Sequence, residues 1–152
     1  MKKLCLLIVS VFVAIHALSA NIELITNNEK FEYSVDQLLE IQTKELVTLT
    51  PWTNSEPTFK GLSIAALFAE HNIQSGQIKF TALNDYSISV SVADLLKSEG
   101  FIAMYQDGEI LKVRSKGPFW LIFPWSDRSE LINARVSSWS TWQIKTIEHI
   151  DS

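Results

Sequence analysis

The chain has 152 residues, with 13 Lys and Arg against 17 Asp and Glu, 47% hydrophobic and 11% aromatic residues, and one cysteine. A chain of this size makes one domain and buries about two thirds of its unfolded surface, so it folds without disulfides or a structural metal. A net charge of −4 leaves no basic excess for a phosphate backbone, which argues against nucleic acid as a partner. The plentiful aromatic and β-branched residues exclude collagenous, coiled-coil and disordered classes.

Lys2 and Lys3 precede an apolar run over residues 4–18, which is followed by Ser19 and Ala20. A positive start, a run shorter than the roughly 20 residues that span a bilayer, and small residues at its end read as a secretory signal peptide over 1–20. Cys5 lies inside the run, too early to carry a lipid at a cleavage site. The expected mature chain is a single domain, 21–152, exported and periplasmic. It has 11 basic against 17 acidic residues, a net of −6, and no cysteine. An exported chain without cysteine has no disulfide framework, no thiolate nucleophile and no thiolate metal ligand. Its two histidines, His71 and His149, have no carboxylate at metal-ligand spacing.

Residues 22–25 and 30–33 flank a polar turn and predict a short hairpin. Ser34 with Gln37 three residues on forms a capping box for a helix whose apolar stripe is Val35, Leu38 and Leu39. Residues 45–50 read as a strand ending at Pro51. A second helix is expected over 63–71, with Ile64, Leu67 and Phe68 at helical spacing and Asn72 as its left-handed close. His71, near that helix end, reads as a surface residue favourable to the helix dipole. Residues 78–83 and 87–90 predict strands. Ser91 caps a third helix with Leu95 and Leu96 inward and Gly100 as its stop. A hairpin over 101–105 and 109–113 turns at Asp107 and Gly108. Residues 119–123 are a continuous apolar run, hence a buried strand, and 142–150 form the last strand. Short helices among many strands make an α+β domain with a mainly β core.

No nucleophile elbow, phosphate loop, dinucleotide fingerprint or zinc-protease helix occurs. The informative residues are the tryptophans, four of which lie in the last 33 residues. Trp120 and Trp142 fall in expected strands and read as core. Trp52, Trp125 and Trp139 border polar residues in expected loops, and Trp52 and Trp125 each follow a proline. Those two are expected to be exposed around one concavity.

Three segments resemble a known family: residues 81–94 (Thr-Ala-Leu-Asn-Asp-Tyr-Ser-Ile-Ser-Val-Ser-Val-Ala-Asp), residues 104–111 (Met-Tyr-Gln-Asp-Gly-Glu-Ile-Leu) with 116–124 (Lys-Gly-Pro-Phe-Trp-Leu-Ile-Phe-Pro), and residues 142–148 (Trp-Gln-Ile-Lys-Thr-Ile-Glu). With residues 59–67 (Phe-Lys-Gly-Leu-Ser-Ile-Ala-Ala-Leu), they are similar to the molybdopterin-binding domain of the sulfite oxidase type over about 45–150. The resemblance implies that fold, with short helices, and an oxidoreductase ancestry. It also implies a molybdenum held by a pterin dithiolene and one cysteine just after a strand such as 46–50. Here that neighbourhood is Thr48-Leu-Thr-Pro-Trp52, with no cysteine. The family's Gly-x-Pro-x-Arg before the buried strand is replaced by Gly117-Pro-Phe-Trp120, one residue shorter. Its lysine before the late tryptophan is replaced by Ser140-Thr141.

A thiolate is a soft ligand that neither Thr nor Pro can imitate. The expected function is therefore a non-catalytic module for a small-molecule ligand or a periplasmic or membrane partner protein, with no cofactor. The alternative is a molybdopterin-binding subunit or oxidoreductase of the sulfite oxidase type. The expected ligand residues are Trp52, Thr53, Asn84, Asp85, Tyr86, Lys116 and Trp125. Arg114, Arg128 and Arg135 are candidates for an anion, and no metal ligand is expected. N-terminal sequencing of the exported protein should return a chain starting at or near Asn21; an intact Met1 in a membrane fraction would refute the cleavage.

Overall fold

A computed structural model describes residues 20–151. Nearly all of the expected signal segment, Cys5 included, lies outside the described residues. The architecture is α+β and mainly β, built on two five-stranded sheets that share one apolar core. Among the described residues no helix is long and apolar enough to cross a membrane.

The first sheet contains β1 (Asn21–Thr26), β2 (Glu29–Ser34), β5 (Gln77–Ala82), β6 (Ser87–Ser91) and β10 (Ile144–Ile150), in the order β2-β1-β10-β5-β6. Only β1 and β10 pair in parallel. In β1 and β5 every second side chain is buried, so Ile22, Leu24, Ile78 and Phe80 line the inner face. The second sheet holds β3 (Lys44–Val47), β4 (Thr58–Ser63), β7 (Phe101–Gln106), β8 (Glu109–Ile110) and β9 (Trp120–Ile122). Both β8 and β9 pair with β7, at opposite ends of it.

Three times a strand runs straight into a helix through a serine. Ser34, Ser63 and Ser91 end β2, β4 and β6 and cap α1 (Val35–Ile41), α2 (Ile64–Glu70) and α3 (Val92–Lys97). Each hydroxyl accepts an amide N–H of the first turn, at 3.3, 3.2 and 3.0 Å, satisfying a donor the helix cannot. The expected capping box at Ser34 is present, with Gln37 Oε1 accepting from the Ser34 amide at 2.9 Å. Turn chemistry is equally local. Asn27 and Asn28 between β1 and β2, and Asp107 and Gly108 between β7 and β8, all have φ between 51° and 82°, the primed two-residue loops that suit twisted hairpins.

Several boundaries differ from the sequence reading. The strand expected over 45–50 ends at Val47; the Thr48 amide still donates to Pro57 O at 3.3 Å, while its hydroxyl and the Leu49 amide turn to Ser126. The strand expected over 109–113 is two residues long and gives way to a 3-10 turn over Val113–Ser115. Leu96 is 38% exposed, not inward, since the short helix α3 turns Val92 and Leu95 to its buried face. The left-handed position closing α3 is Glu99 (φ 53°) and not Gly100, while Asn72 (φ 55°) closes α2 as expected. The last strand starts at Ile144, not at residue 142, because Gln143 takes φ 53° and donates its amide to Lys116 O at 2.9 Å. His71 is half-buried and not simply a surface residue. It lies against Phe31 and hydrogen-bonds the Tyr33 hydroxyl at 2.8 Å, and burial pushes its imidazole below the ordinary value, partly opposed by Glu70. A fourth helix, α4 (Ala134–Trp139), capped by Asn133, is absent from the sequence reading altogether.

The register between β4 and β7 slips between Lys60 and Gly61, leaving Met104 as the extra residue. Only glycine fits at position 61, because a Cβ there would lie 1.9 Å from Ile102 O. Gly61→Ala should therefore destabilise the protein by roughly 1–3 kcal/mol or more, measured by urea unfolding. An unchanged midpoint would mean that the sheet relaxes there.

Candidate functional site

The buried strand β9 extends on both sides into apolar sequence, and residues 117–125 are buried without interruption. Trp120 and Trp125 are 1% and 2% exposed, and both indole N–H groups are satisfied internally, by Ser140 Oγ at 3.0 Å and Leu131 O at 3.1 Å. Against this floor rests Trp52, 38% exposed, edge-to-face with Trp120, Trp125 and Trp142 at centroid distances of 6.0, 6.3 and 5.4 Å.

The loop that carries Trp52 is fixed by hydroxyls. Thr48 Oγ1 accepts the Ser126 amide at 3.0 Å, and Ser126 Oγ accepts the Leu49 amide at 2.8 Å, a reciprocal pair joining the loop to the end of the buried run. Within the loop, Thr53 Oγ1 accepts the Thr50 amide at 2.9 Å, and Thr50 Oγ1 accepts the Trp52 amide at 3.2 Å. Thr48 is fully buried, and its own hydroxyl donates to Leu49 O at 2.9 Å.

Two concavities flank this loop. The first, about 270 Å³, lies between the β5–β6 turn, the end of α4 and Trp52. Its walls are Trp52, Trp142, Tyr86 and Ala82, with Asn84, Ser137, Ser138, Ser140 and Thr141 as polar groups. The second, about 370 Å³, is a more apolar groove formed by Leu49, Pro51, Ile132 and Trp125 with Thr50, Thr53, Asn133 and Ser137.

The seven expected ligand residues thus divide. Trp52, Asn84 and Tyr86 meet on the first concavity, while Thr53 and Trp125 line the second. Asp85 stands at φ 65° in the turn, largely exposed, and pairs with Lys145, which holds its carboxyl below the usual range. Lys116 Nζ lies over the rings of Trp120 and Trp142 at 5.4 and 5.5 Å, a cation–π placement beside the first concavity. Of the anion candidates, Arg128 is engaged with Glu130 at 2.8 Å, Glu99 at 3.6 Å and Lys97 O at 2.8 Å. Arg135 bonds Asp94 at 3.0 Å and lies over Trp139 at 5.1 Å. Arg114 is exposed in the 3-10 turn.

Three tryptophan expectations need correction. Trp125 is core, not exposed, because the tight turn after Pro124 folds its ring onto Phe123 and Trp52. Trp142 is 37% exposed, not core, because the chain enters the sheet only at Ile144. Trp139 belongs to α4 and is 7% exposed. The serines and threonine of 137–141 were not singled out in the sequence. Asn133 as a cap, with Val136 and Trp139 three apart, was the signal for the helix that delivers them.

No known family and no curated protein matches the chain in sequence. In structure it is similar to the sulfane dehydrogenase SoxCD from Paracoccus pantotrophus, with a TM-score of 0.59 at 11% identity over 87% of this chain. This chain spans 38% of that one. The fold is of the sulfite oxidase type. The likeness is a distant one, to an oxidoreductase-type domain.

The residues do not fit a molybdenum pterin. The neighbourhood in which the resemblance places a thiolate, residues 48–52, has no cysteine, and its Thr48 and Thr50 hydroxyls are hydrogen-bonded to Leu49, Thr53 and Ser126. Residues 20–151 contain no cysteine, and among them no three His, Asp or Glu side chains gather as a metal site. Two of the candidate arginines are neutralised by carboxylates.

The burial pattern sorts the tryptophans by role. Trp120→Ala and Trp125→Ala should each cost roughly 3–5 kcal/mol, and Trp52→Ala and Trp142→Ala about half as much. Denaturant melts of the four variants check this; equal large losses at all four would make the whole cluster core.

Proposed function

We propose that this protein is an exported, non-catalytic module that binds a small ligand in the concavity between Trp52, Trp142 and the β5–β6 turn. The observation that carries the reading is the contrast within one aromatic cluster. Two tryptophans are buried with satisfied N–H groups, while two others remain more than one third exposed on a concave surface. Exposed aromatic side chains converging on a cavity are costly to leave in water and favour a ligand's apolar surface.

Two further observations support a binding role over redox chemistry. The loop hydroxyls of Thr48 and Thr50 serve to hold Trp52, where a metal enzyme of this fold would need a soft donor. The concavity is lined by no charged side chain. Export rests on the basic start and apolar run of residues 1–20.

Expression in a host that makes the pterin cofactor, followed by elemental analysis and mass spectrometry of released small molecules, tests the reading. The expected result is no stoichiometric molybdenum and a small molecule that is depleted in the Trp142→Ala protein. About one molybdenum per chain would favour the oxidoreductase alternative.

A further inference from the structure

The chemistry of the first concavity narrows its ligand, and the step rests on the binding role proposed above. Its lining separates into aromatic surface and small neutral polar groups. Two charged groups stand beside it: Asp85 pairs with Lys145, and Lys116 lies over the rings of Trp120 and Trp142. A carboxylate or phosphate entering here would lose water without gaining a countercharge from the lining, which is strongly unfavourable. The lining itself thus suits an uncharged ligand, with Lys116 as the one unpaired cation beside it among the described residues.

Hydrogen-bonding capacity gives the next constraint. The indole N–H groups of Trp120 and Trp125 are satisfied inside the core, whereas those of Trp52 and Trp142 have no hydrogen-bond partner among the described residues. Asn84 uses its carbonyl oxygen to accept the Tyr86 amide at 3.1 Å, and its NH₂ group has no partner among the described residues. The Ser137 hydroxyl is likewise without one, and as a hydroxyl it both donates and accepts. A ligand that satisfies these groups carries several oxygens, some of which accept while at least one donates.

Ring geometry decides between a flat and a saturated ligand. Trp52 and Trp142 stand at 85° to one another with centroids 5.4 Å apart, so they form a corner and not a slot. A flat heterocycle gains most between two parallel faces, which this corner does not offer. A saturated ring stacks its C–H face on one indole and directs its peripheral hydroxyls at the surrounding donors and acceptors. The volume of about 270 Å³ lies at the small end of ligand pockets, which suits one or two rings. We infer that the concavity bounded by Trp52, Trp142, Tyr86, Asn84 and Ser137 is a binding site for an uncharged saccharide, held through C–H stacking on indole and hydroxyl contacts to neutral groups.

The test is a titration of the purified protein, followed by tryptophan fluorescence and calorimetry. The probes are glucose, galactose, mannose, N-acetylglucosamine and their disaccharides, with glucuronate and adenine as contrasts. At least one neutral sugar should bind saturably. Glucuronate should bind at least about tenfold more weakly than the best neutral sugar, as the absent countercharge requires. Ser137→Ala, a substitution that suits a helix, should weaken the sugar about threefold or more, and Trp142→Phe should weaken it further while the protein stays folded. Saturable binding of adenine with no sugar bound would overturn the saccharide assignment and leave the ligand-binding role standing. Glucuronate binding as tightly as the neutral sugars would overturn it too. No saturable binding by any probe, together with no Trp142-dependent molecule in the mass spectra, would overturn both.

Discussion

Burial of residues 117–125 is the constraint on which the rest of this structure depends. Nine consecutive residues without solvent contact place a continuous stretch of backbone N–H and C=O groups where water cannot reach them, and each needs a partner from the protein. β9 supplies some by pairing with β7 over Phe101–Ala103. Several more come from the segment after α4. Thr141 O accepts the Leu121 amide at 2.8 Å, Ser140 Oγ donates to Leu121 O at 2.6 Å, and Phe119 O accepts the Ile144 amide at 3.0 Å. The short helix α4 and the turn into β10 are thus held where they are by the demands of the buried run.

The site is a consequence of that arrangement. Once Ser140 and Thr141 are committed to the buried strand, Trp142 emerges at the surface beside the β5–β6 turn, where Tyr86 donates to Ser138 O at 3.3 Å. At the other end of the run, Ser126 takes up Thr48 and the Leu49 amide and so brings the loop carrying Trp52 across the same aromatic floor. Segments distant in sequence meet because each closes an account of unsatisfied groups on one buried strand. The lining of the concavity between them is neutral because only aromatic, small polar and alanine side chains reach it, while Asp85 pairs with Lys145 and Lys116 lies over the Trp120 and Trp142 rings.

A fold of the sulfite oxidase type does not by itself carry a chemistry, because function resides in the site and not in the scaffold. The sheets, the serine-capped helices and the glycine at position 61 all serve packing and remain intact with no soft donor present. The loop over residues 48–53 is held by its own hydroxyls and by Ser126, which makes it a support for the Trp52 side chain.

What the sequence determined by itself is whatever depends on neighbours within a few residues. The Ser34 capping box, the Ser91 cap, the Asn72 close and the Asp107-Gly108 turn are set by contacts spanning two to five positions, and they stand where the residues put them. The apolar run over 119–123 could only be buried, and the mainly β α+β class followed from the alternation around it. The roles of the tryptophans were decided by tertiary structure. Trp125 and Trp142 occupy similar mixed contexts, yet one is core and the other is exposed, because Trp125 turns onto Phe123 whereas Trp142 precedes the left-handed Gln143 at which the chain enters the last strand. Helix α4 was equally hidden: six residues carry too weak a periodicity, and the helix forms because the buried strand needs the hydroxyl and carbonyl that follow it. The site residues it delivers, Ser137 to Thr141, acquire their position only through that long-range requirement.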